Sequence, residues 1–320
     1  MLERFSLVVG GAALGIFSTI YYRQISLPSQ LPEKGPTPLP LLAEPIPFGY
    51  PGPVNDQLPR KAYFASYNRR LRHPDWVLEH ITKESLKRGE DVDRSKSPFR
   101  EDLAIPEMFR AKVLDYFKSG FDRGHMAPAA DAKTSQDALD ETFLLTNIAP
   151  QVGNGFNRDY WSFLEEFCRR LVTKENFSDV YVFTGPAYLP RKEDGKFYVK
   201  YQLIGDPPII AVPTHFYKII LAIKDDKNSS NGQLRALGSF LVPNQRIPNS
   251  DPLEDYLVPL DAIERTTGLK FFENLEKSTT IPLCKAVKCQ LVANPKYVPE
   301  ELRNSTSEQK AIPKQNEKTS

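Results

Sequence analysis

At 320 residues the chain exceeds one minimal domain and lies near the upper range for a single compact domain with added segments. Forty-two Lys and Arg against 40 Asp and Glu leave a formal net charge of +2. That excludes a histone-like chain coating nucleic acid by bulk charge, though not a local basic cleft. Three cysteines cannot all pair within one chain, and Cys168, Cys284 and Cys289 lack zinc-ligand spacing, so neither a disulfide framework nor a zinc module is expected.

The first 24 residues stand apart. Residues 5–22, FSLVVGGAALGIFSTIYY, carry no charge and are flanked by Arg4 and Arg23. As a helix this run would reach about 27 Å, close to the roughly 30 Å hydrocarbon core of a bilayer. Its mid-run glycines and bulky C-terminal end argue against a cleaved secretory signal. Residues 1–24 are read as a membrane signal-anchor with a mitochondrial address. Nine prolines follow between Pro28 and Pro53, so residues 25–60 are read as an extended linker. The domain proper is placed at 61–300. Residues 301–320 lose hydrophobic periodicity and are read as a disordered tail.

Within the domain, β-type runs are expected at 76–81, 143–148, 180–184, 197–204, 209–223 and 237–242. Asp194-Gly195 reads as a hairpin turn. One helix is expected over 157–172, with Tyr160, Trp161, Leu164, Phe167, Cys168 and Leu171 at helical spacing. A second is expected over 259–267, ending at Gly268. Strands without strict β-α alternation predict an α+β class with a mixed, mainly antiparallel sheet.

The chemistry concentrates in SGFDRGHMAPAADAKTS, residues 119–135. Arg123 offers a planar fork for phosphate oxygens, and the neutral imidazole of His125 can accept a proton from water. Asn147 and Asn157 follow. Asn157 opens the predicted helix, where it would serve either as an N-cap or as an amide ligand. Glu165 lies two turns further, either as a solvated edge residue or as a carboxylate placing metal-associated water. One amide oxygen, waters and substrate phosphate suit Mg²⁺. His80 reads as a core histidine or a phosphate contact, and His215 as a core or edge residue. Cys284 and Cys289 could form a small disulfide in an oxidising compartment, and are expected as free thiols. Arg69, Arg70 and Arg72, or Arg191, Lys192, Lys196 and Lys200, would line a polyanion groove or form solvated faces.

Asp122-Arg123-Gly124-His125, TNIAPQ at 146–151, and Asn157 with Tyr160-Trp161 and Leu164-Glu165 resemble the DRGH family of DNA/RNA non-specific nucleases. The resemblance is greatest to mitochondrial endonuclease G-like members, the fungal ones especially. WVLEHIT, VFTGPAYLP and AVPTHFYK extend it through most of residues 48–290. It implies a ββα-metal (His-metal finger) core within a larger sheet. It also implies a homodimer, and cleavage of DNA and RNA with Mg²⁺, for which Mn²⁺ substitutes.

By the same resemblance His125 is the general base, Asn157 the direct metal ligand, and Arg123 a phosphate contact. Glu165 positions metal-coordinated water, Asn147 belongs to the site, and Asp122 is structural. The implied location is the mitochondrial inner membrane facing the intermembrane space, with release to the nucleus. The implied roles are mitochondrial nucleic-acid turnover and DNA fragmentation in cell death. A loop one residue longer than in animal and bacterial relatives makes Asn154 a formal rival to Asn157, and Met126-Ala127-Pro128 follows the exonuclease-like pattern. The competing readings are a catalytically inactive membrane-tethered nucleic-acid-binding module and a phosphodiesterase for a smaller substrate.

Overall fold

The computed structural model describes residues 55–227 and 232–292. The anchor run, the proline-rich stretch up to residue 54 and the tail lie outside the described residues. Among those described, no helix is long and apolar enough to cross a membrane.

The chain enters through three antiparallel strands, β1 (Asp56–Pro59), β2 (Tyr63–Asn68) and β3 (His73–Ile81). It then leaves the sheet to build a separate unit. That unit comprises β4 (Asp122–His125), helix α1 (Gln136–Thr142), β5 (Ile148–Gln151) and helix α2 (Tyr160–Thr173). The chain returns as β6 (Asp179–Ala187), which pairs antiparallel with β3. Short strands β7 (Arg191–Glu193), β8 (Lys196–Tyr198), β9 (Leu203–Ile204) and β10 (Ile210–Ala211) follow. The long strands β11 (His215–Asp225) and β12 (Gln233–Pro243), helix α3 (Leu260–Thr267), β13 (Ile281–Pro282) and helix α4 (Leu283–Ala286) complete the described fold.

The main sheet has seven strands in the order β1-β2-β3-β6-β11-β12-β13, antiparallel except for the pairing of β12 with β13. Strand β11 explains the unbroken apolar run in its sequence. Phe216, Ile220 and Ala222 enter the core that holds α2, whereas Tyr217, Ile219 and Leu221 enter a second core with Phe271, Phe272 and Leu275. A central strand covered on both faces needs apolar side chains at every position, so alternation disappears from the sequence. Helix α2 lays Trp161, Leu164, Phe167, Cys168 and Leu171 on the first face, all buried. It ends with Arg170 in its last turn, a cation where the helix dipole favours one. Helix α3 stops at Gly268, whose φ of +73° is open to glycine at little cost.

The α+β class and mainly antiparallel sheet match expectation, and several local readings need correction. Residues 143–148 do not form a strand. Leu145–Asn147 is a 3₁₀ turn, and the strand begins at Ile148. This apolar run is buried by contacts with two side cores rather than by ladder pairing, so its hydrophobicity carries no β period. The 209–223 run is split, because Pro213 lacks the N–H a ladder needs, and β11 starts at His215. The 197–204 run is likewise broken, with Phe197, Tyr198, Val199 and Tyr201 exposed. Asp56–Pro59, assigned above to the linker, instead forms the sheet's edge strand. Cys284 and Cys289 are joined in a disulfide rather than free, and Cys168 alone stays a buried thiol.

Candidate active site

Strands β4 and β5 pair antiparallel with Asp122 opposite Gln151, Arg123 opposite Pro150, and His125 opposite Ile148. Helix α2 follows β5 through a wide turn at Gly153–Asn157, closed by the Asn157 amide donating to Val152 O at 2.9 Å. The order β4-β5-α2 is a ββα unit, and its three elements deliver the candidate residues to one cleft of about 530 Å³. Two glycines make this possible. A Cβ at Gly124 would stand 1.9 Å from Gln151 Oε1, and one at Gly155 would collide with Arg246 from a backbone at φ +82°.

His125 sits between two phenylalanines, its ring centroid 5.3 Å from Phe99 and 4.9 Å from Phe143. The Arg123 guanidinium lies 4.5 Å over the outer ring of Phe99, and that of Arg94 lies 5.7 Å from the ring of Phe143. Neither guanidinium makes an ion pair among the described residues. Nε2 of His125 is sealed from solvent with no hydrogen-bond partner. Burial, reinforced by Arg94, pushes the imidazole down to about 3, so it is neutral at physiological pH. Aromatic walls thus fix a neutral proton acceptor between two cations that have no partner of their own.

Asp122 is the hub of the opposite wall. It accepts from Asn157 Nδ2 at 2.9 Å and from Arg158 Nε and Nη2 at 2.7 and 2.6 Å. Burial opposes its charge, but the bonds from Arg158 and Asn157 outweigh it and hold the carboxyl below the usual range. With Nδ2 engaged, the Asn157 amide has a defined orientation, and its Oδ1 accepts nothing among the described residues. Asn157 is not the helix N-cap, a position held by Asp159.

Glu165 lines the same cleft from α2. Burial pushes it up to about 7, against the pull of Lys218 and Arg169. Lys218 is itself buried, donates to Thr184 Oγ1 at 2.6 Å and lies 5.0 Å over the Trp161 ring. Arg169 bridges Asp131 at 2.6 Å and Glu166 at 2.8 Å at the margin of the cleft.

Four predicted residues, Arg123, His125, Asn157 and Glu165, line this cleft together, and Asp122 joins them. Asn147 does not. It is wholly buried, and its side chain accepts from Ala127 N and donates to Ala127 O and Thr142 O, each at 2.9 Å. Its bonds tie the segment just after His125 to the end of helix α1. Asn154 is exposed, outside the cleft and bonded weakly to Arg158, leaving Asn157 as the amide that faces the site. His80 is neither a core residue nor in the cleft, for it is exposed, bound to Asp179 at 2.8 Å and stacked on Tyr181. His215 is partly buried on β11, with Nδ1 beside Thr214. Sequence reasoning missed Arg94, Arg158 and Arg169. Arg169 was legible as the residue one helical turn beyond Glu165, whereas nothing local marks Arg94.

Among the described residues, no group of three His, Cys, Asp or Glu side chains could hold a metal. Asn157 Oδ1 and the Glu165 carboxylate are free oxygens within the cleft. This sparse, all-oxygen set fits a hard cation that keeps most of its water, and does not fit zinc.

Comparison with known proteins agrees with this geometry. Residues 43–278 match the DNA/RNA non-specific endonuclease family. Over 247 residues the chain is 51% identical to the mitochondrial nuclease of Saccharomyces cerevisiae, covering 77% of this chain and 74% of that protein. It is 43% identical over 229 residues to the mitochondrial endonuclease G of Homo sapiens, covering 71% and 73% respectively. A crystal structure of the EndoG/EndoGI complex superposes with a TM-score of 0.67 at 46% identity, covering 73% of this chain and 91% of that one. The chain belongs to the DNA/RNA non-specific endonuclease family and is an endonuclease.

Proposed function

We propose that the cleft hydrolyses phosphodiester bonds in both DNA and RNA with His125 as general base and with Mg²⁺ bound, for which Mn²⁺ substitutes. The observation that carries this reading is the His125 box: a neutral imidazole without a hydrogen-bond partner, clamped by Phe99 and Phe143 between the unpaired guanidinia of Arg94 and Arg123. A phosphodiester brings the negative charge these guanidinia lack. Their planar forks bind its non-bridging oxygens and stabilise the charge that develops there. Water positioned beside His125 gives up a proton to the imidazole as it attacks phosphorus, and one bridging P–O bond breaks, its oxygen leaving with the electron pair and taking up a proton from solvent. The imidazole accepts it more readily once an anionic substrate is bound, because nearby negative charge raises its pKa.

Asn157 Oδ1 would hold the metal, which when bound supplies further electrostatic stabilisation of the phosphoryl oxygens, while Glu165 would place water beside it. Asp122 fixes the Asn157 amide, and Asn147 positions the backbone after His125. These groups contact phosphate rather than base edges, and phosphate carries no sequence information directly. Cleavage without sequence preference follows.

The mitochondrial names of the relatives support a mitochondrial location. The uncharged run at 5–22 supports an anchor in the inner membrane, with residues 25–54 as spacer and the nuclease facing the intermembrane space until release to the nucleus. Homodimerisation and the roles in nucleic-acid turnover and DNA fragmentation belong to this same reading. The test is incubation of the full-length protein with plasmid DNA and with RNA, with Mg²⁺ or with chelator. Cutting of both polymers that stops with chelator is expected. Chelator-resistant cutting would sink the metal assignment, and cutting of only one polymer would sink the substrate assignment.

A further inference from the structure

A second cationic depression lies outside the active-site cleft, at the turn joining β2 to β3. Its volume is about 520 Å³, and Arg69, Arg70, Arg72, Phe109, Tyr201 and Leu203 are among its lining residues. The Phe109 ring receives two guanidinia, Arg69 Cζ at 5.1 Å and Arg72 Cζ at 5.4 Å. The fold anchors this platform, since Tyr67 Oη donates to Phe109 O at 3.0 Å and Ala211 N donates to Leu71 O at 3.1 Å.

The three arginines are not equivalent. Arg69 is neutralised by a bidentate pair with Asp56 at 2.6 and 2.5 Å. Arg70 is exposed and makes no ion pair among the described residues. Arg72 Nη1 is sealed from solvent with no hydrogen-bond partner, and its backbone sits at φ +62°, a region non-glycine residues rarely adopt. The Arg72 backbone N–H donates to Asn68 O at 2.8 Å, which supports the turn, and Phe109 carries the guanidinium, but the covered nitrogen still lacks an acceptor, which costs stability. That unmet donor is accounted for if an external acceptor completes the site. Paired guanidinia supply donors to a phosphodiester, and the exposed Tyr201 ring offers a face on which an unpaired base can stack.

We propose that this depression is a second phosphate-binding site for a single-stranded segment of the nucleic-acid substrate, engaged by Arg70 and Arg72 beyond the strand held in the catalytic cleft. The proposal rests on the chain's action on nucleic acid but not on the catalytic roles assigned above. It makes the turn a substrate-holding element that acts on polymers and is absent from the chemistry.

The test is equilibrium binding of the full-length protein to a fluorescein-labelled 20-nucleotide single strand, followed by anisotropy across salt concentrations. Chelator is present to prevent turnover. Arg70→Gln should weaken binding several-fold, and the log K against log salt slope should become shallower by about 0.7. The Arg70→Gln/Arg72→Gln pair should flatten it by about 1.4 on the same scale, with thermal unfolding confirming the fold. Because Arg70 is exposed and unpaired, its single variant keeps the test decisive should Arg72 prove necessary for folding. An unchanged slope in Arg70→Gln overturns the proposal. So does an effect confined to vesicles containing anionic phospholipid, which would assign the surface to a membrane. A slope change in the variants together with a wild type that cuts neither polymer with Mg²⁺ would support this site while counting against the catalytic reading.

Discussion

Burial depresses the imidazoles of His73 and His125, to about 4 and about 3 respectively, although His73 is fully buried and His125 half-buried with its Nε2 sealed from solvent. Their bonding is opposite. His73 Nδ1 donates to Pro74 O at 3.0 Å, while Nε2 accepts from Tyr188 Oη, so each nitrogen has a partner and the tautomer is fixed. Among the described residues His125 has a partner on neither nitrogen, and its ring packs against Phe99 and Phe143. A depressed pKa therefore does not distinguish a structural histidine from a reactive one. The unmet hydrogen-bonding capacity does, because the fold has left it for a substrate or for water.

The contrast is tested most strongly by truncating each ring. His125→Ala should reduce kcat on plasmid DNA by about 10²–10⁴-fold while leaving the thermal midpoint near that of the wild type. His73→Ala should do the reverse. Removing the ring leaves Tyr188 Oη without its acceptor and opens a cavity, costing about 2–4 kcal/mol in urea unfolding with kcat per folded molecule retained. If His73→Ala lost turnover without losing stability, the contrast would fail.

Acid titration gives a second test on the same pair. His73 is depressed in the fold, so the unfolded chain takes up its proton first as pH falls. Its stabilising contribution is complete above about 6.5 and lost progressively down to about 4. Integrated over that window the loss is about 3 kcal/mol, and His73→Asn should flatten this part of the stability curve.

A smaller effect is expected at Glu165. Its carboxyl lies near 7, so activity should rise with pH through neutrality as the anion forms. Glu165→Gln should lower turnover about 10–100-fold and remove that rise. A pH profile identical to the wild type would exclude the Glu165 anion from the reaction. The smallest effect concerns the C-terminal staple. Replacing Cys284 and Cys289 with Ser should cost about 2 kcal/mol, because the loop they close is short, and should leave the cleft's pH profile unmoved.

Legibility in the sequence followed how local the cause was. Helix α2 was readable because a single face meets the core, which leaves a 3.6-residue period. Its residues Trp161 and Glu165 also set the register that selects Asn157 over Asn154. Strand β4 has four residues and gave no periodic signal, yet its four letters carried the chemistry. The polar role of Asn147 was misplaced because a buried amide bridging a loop carbonyl and the last carbonyl of helix α1 reads like any motif Asn until its partners are known. Arg94 was invisible, since it reaches His125 across the Phe143 ring from a segment with no motif of its own. The disulfide was misjudged because five residues of separation say nothing of whether the backbone turns the two thiols together.

The packing of Gln151 onto Gly124 has a consequence for how this motif can change over generations. Any side chain at position 124 must occupy space that the Gln151 carboxamide already fills. The glycine of Asp122-Arg123-Gly124-His125 is thus dictated from the neighbouring strand rather than by its own neighbours in sequence. Replacement at 124 becomes tolerable only in a lineage that has first shortened residue 151. A side chain added at 124 alone should therefore be purged, while a shorter residue at 151 opens the way to it.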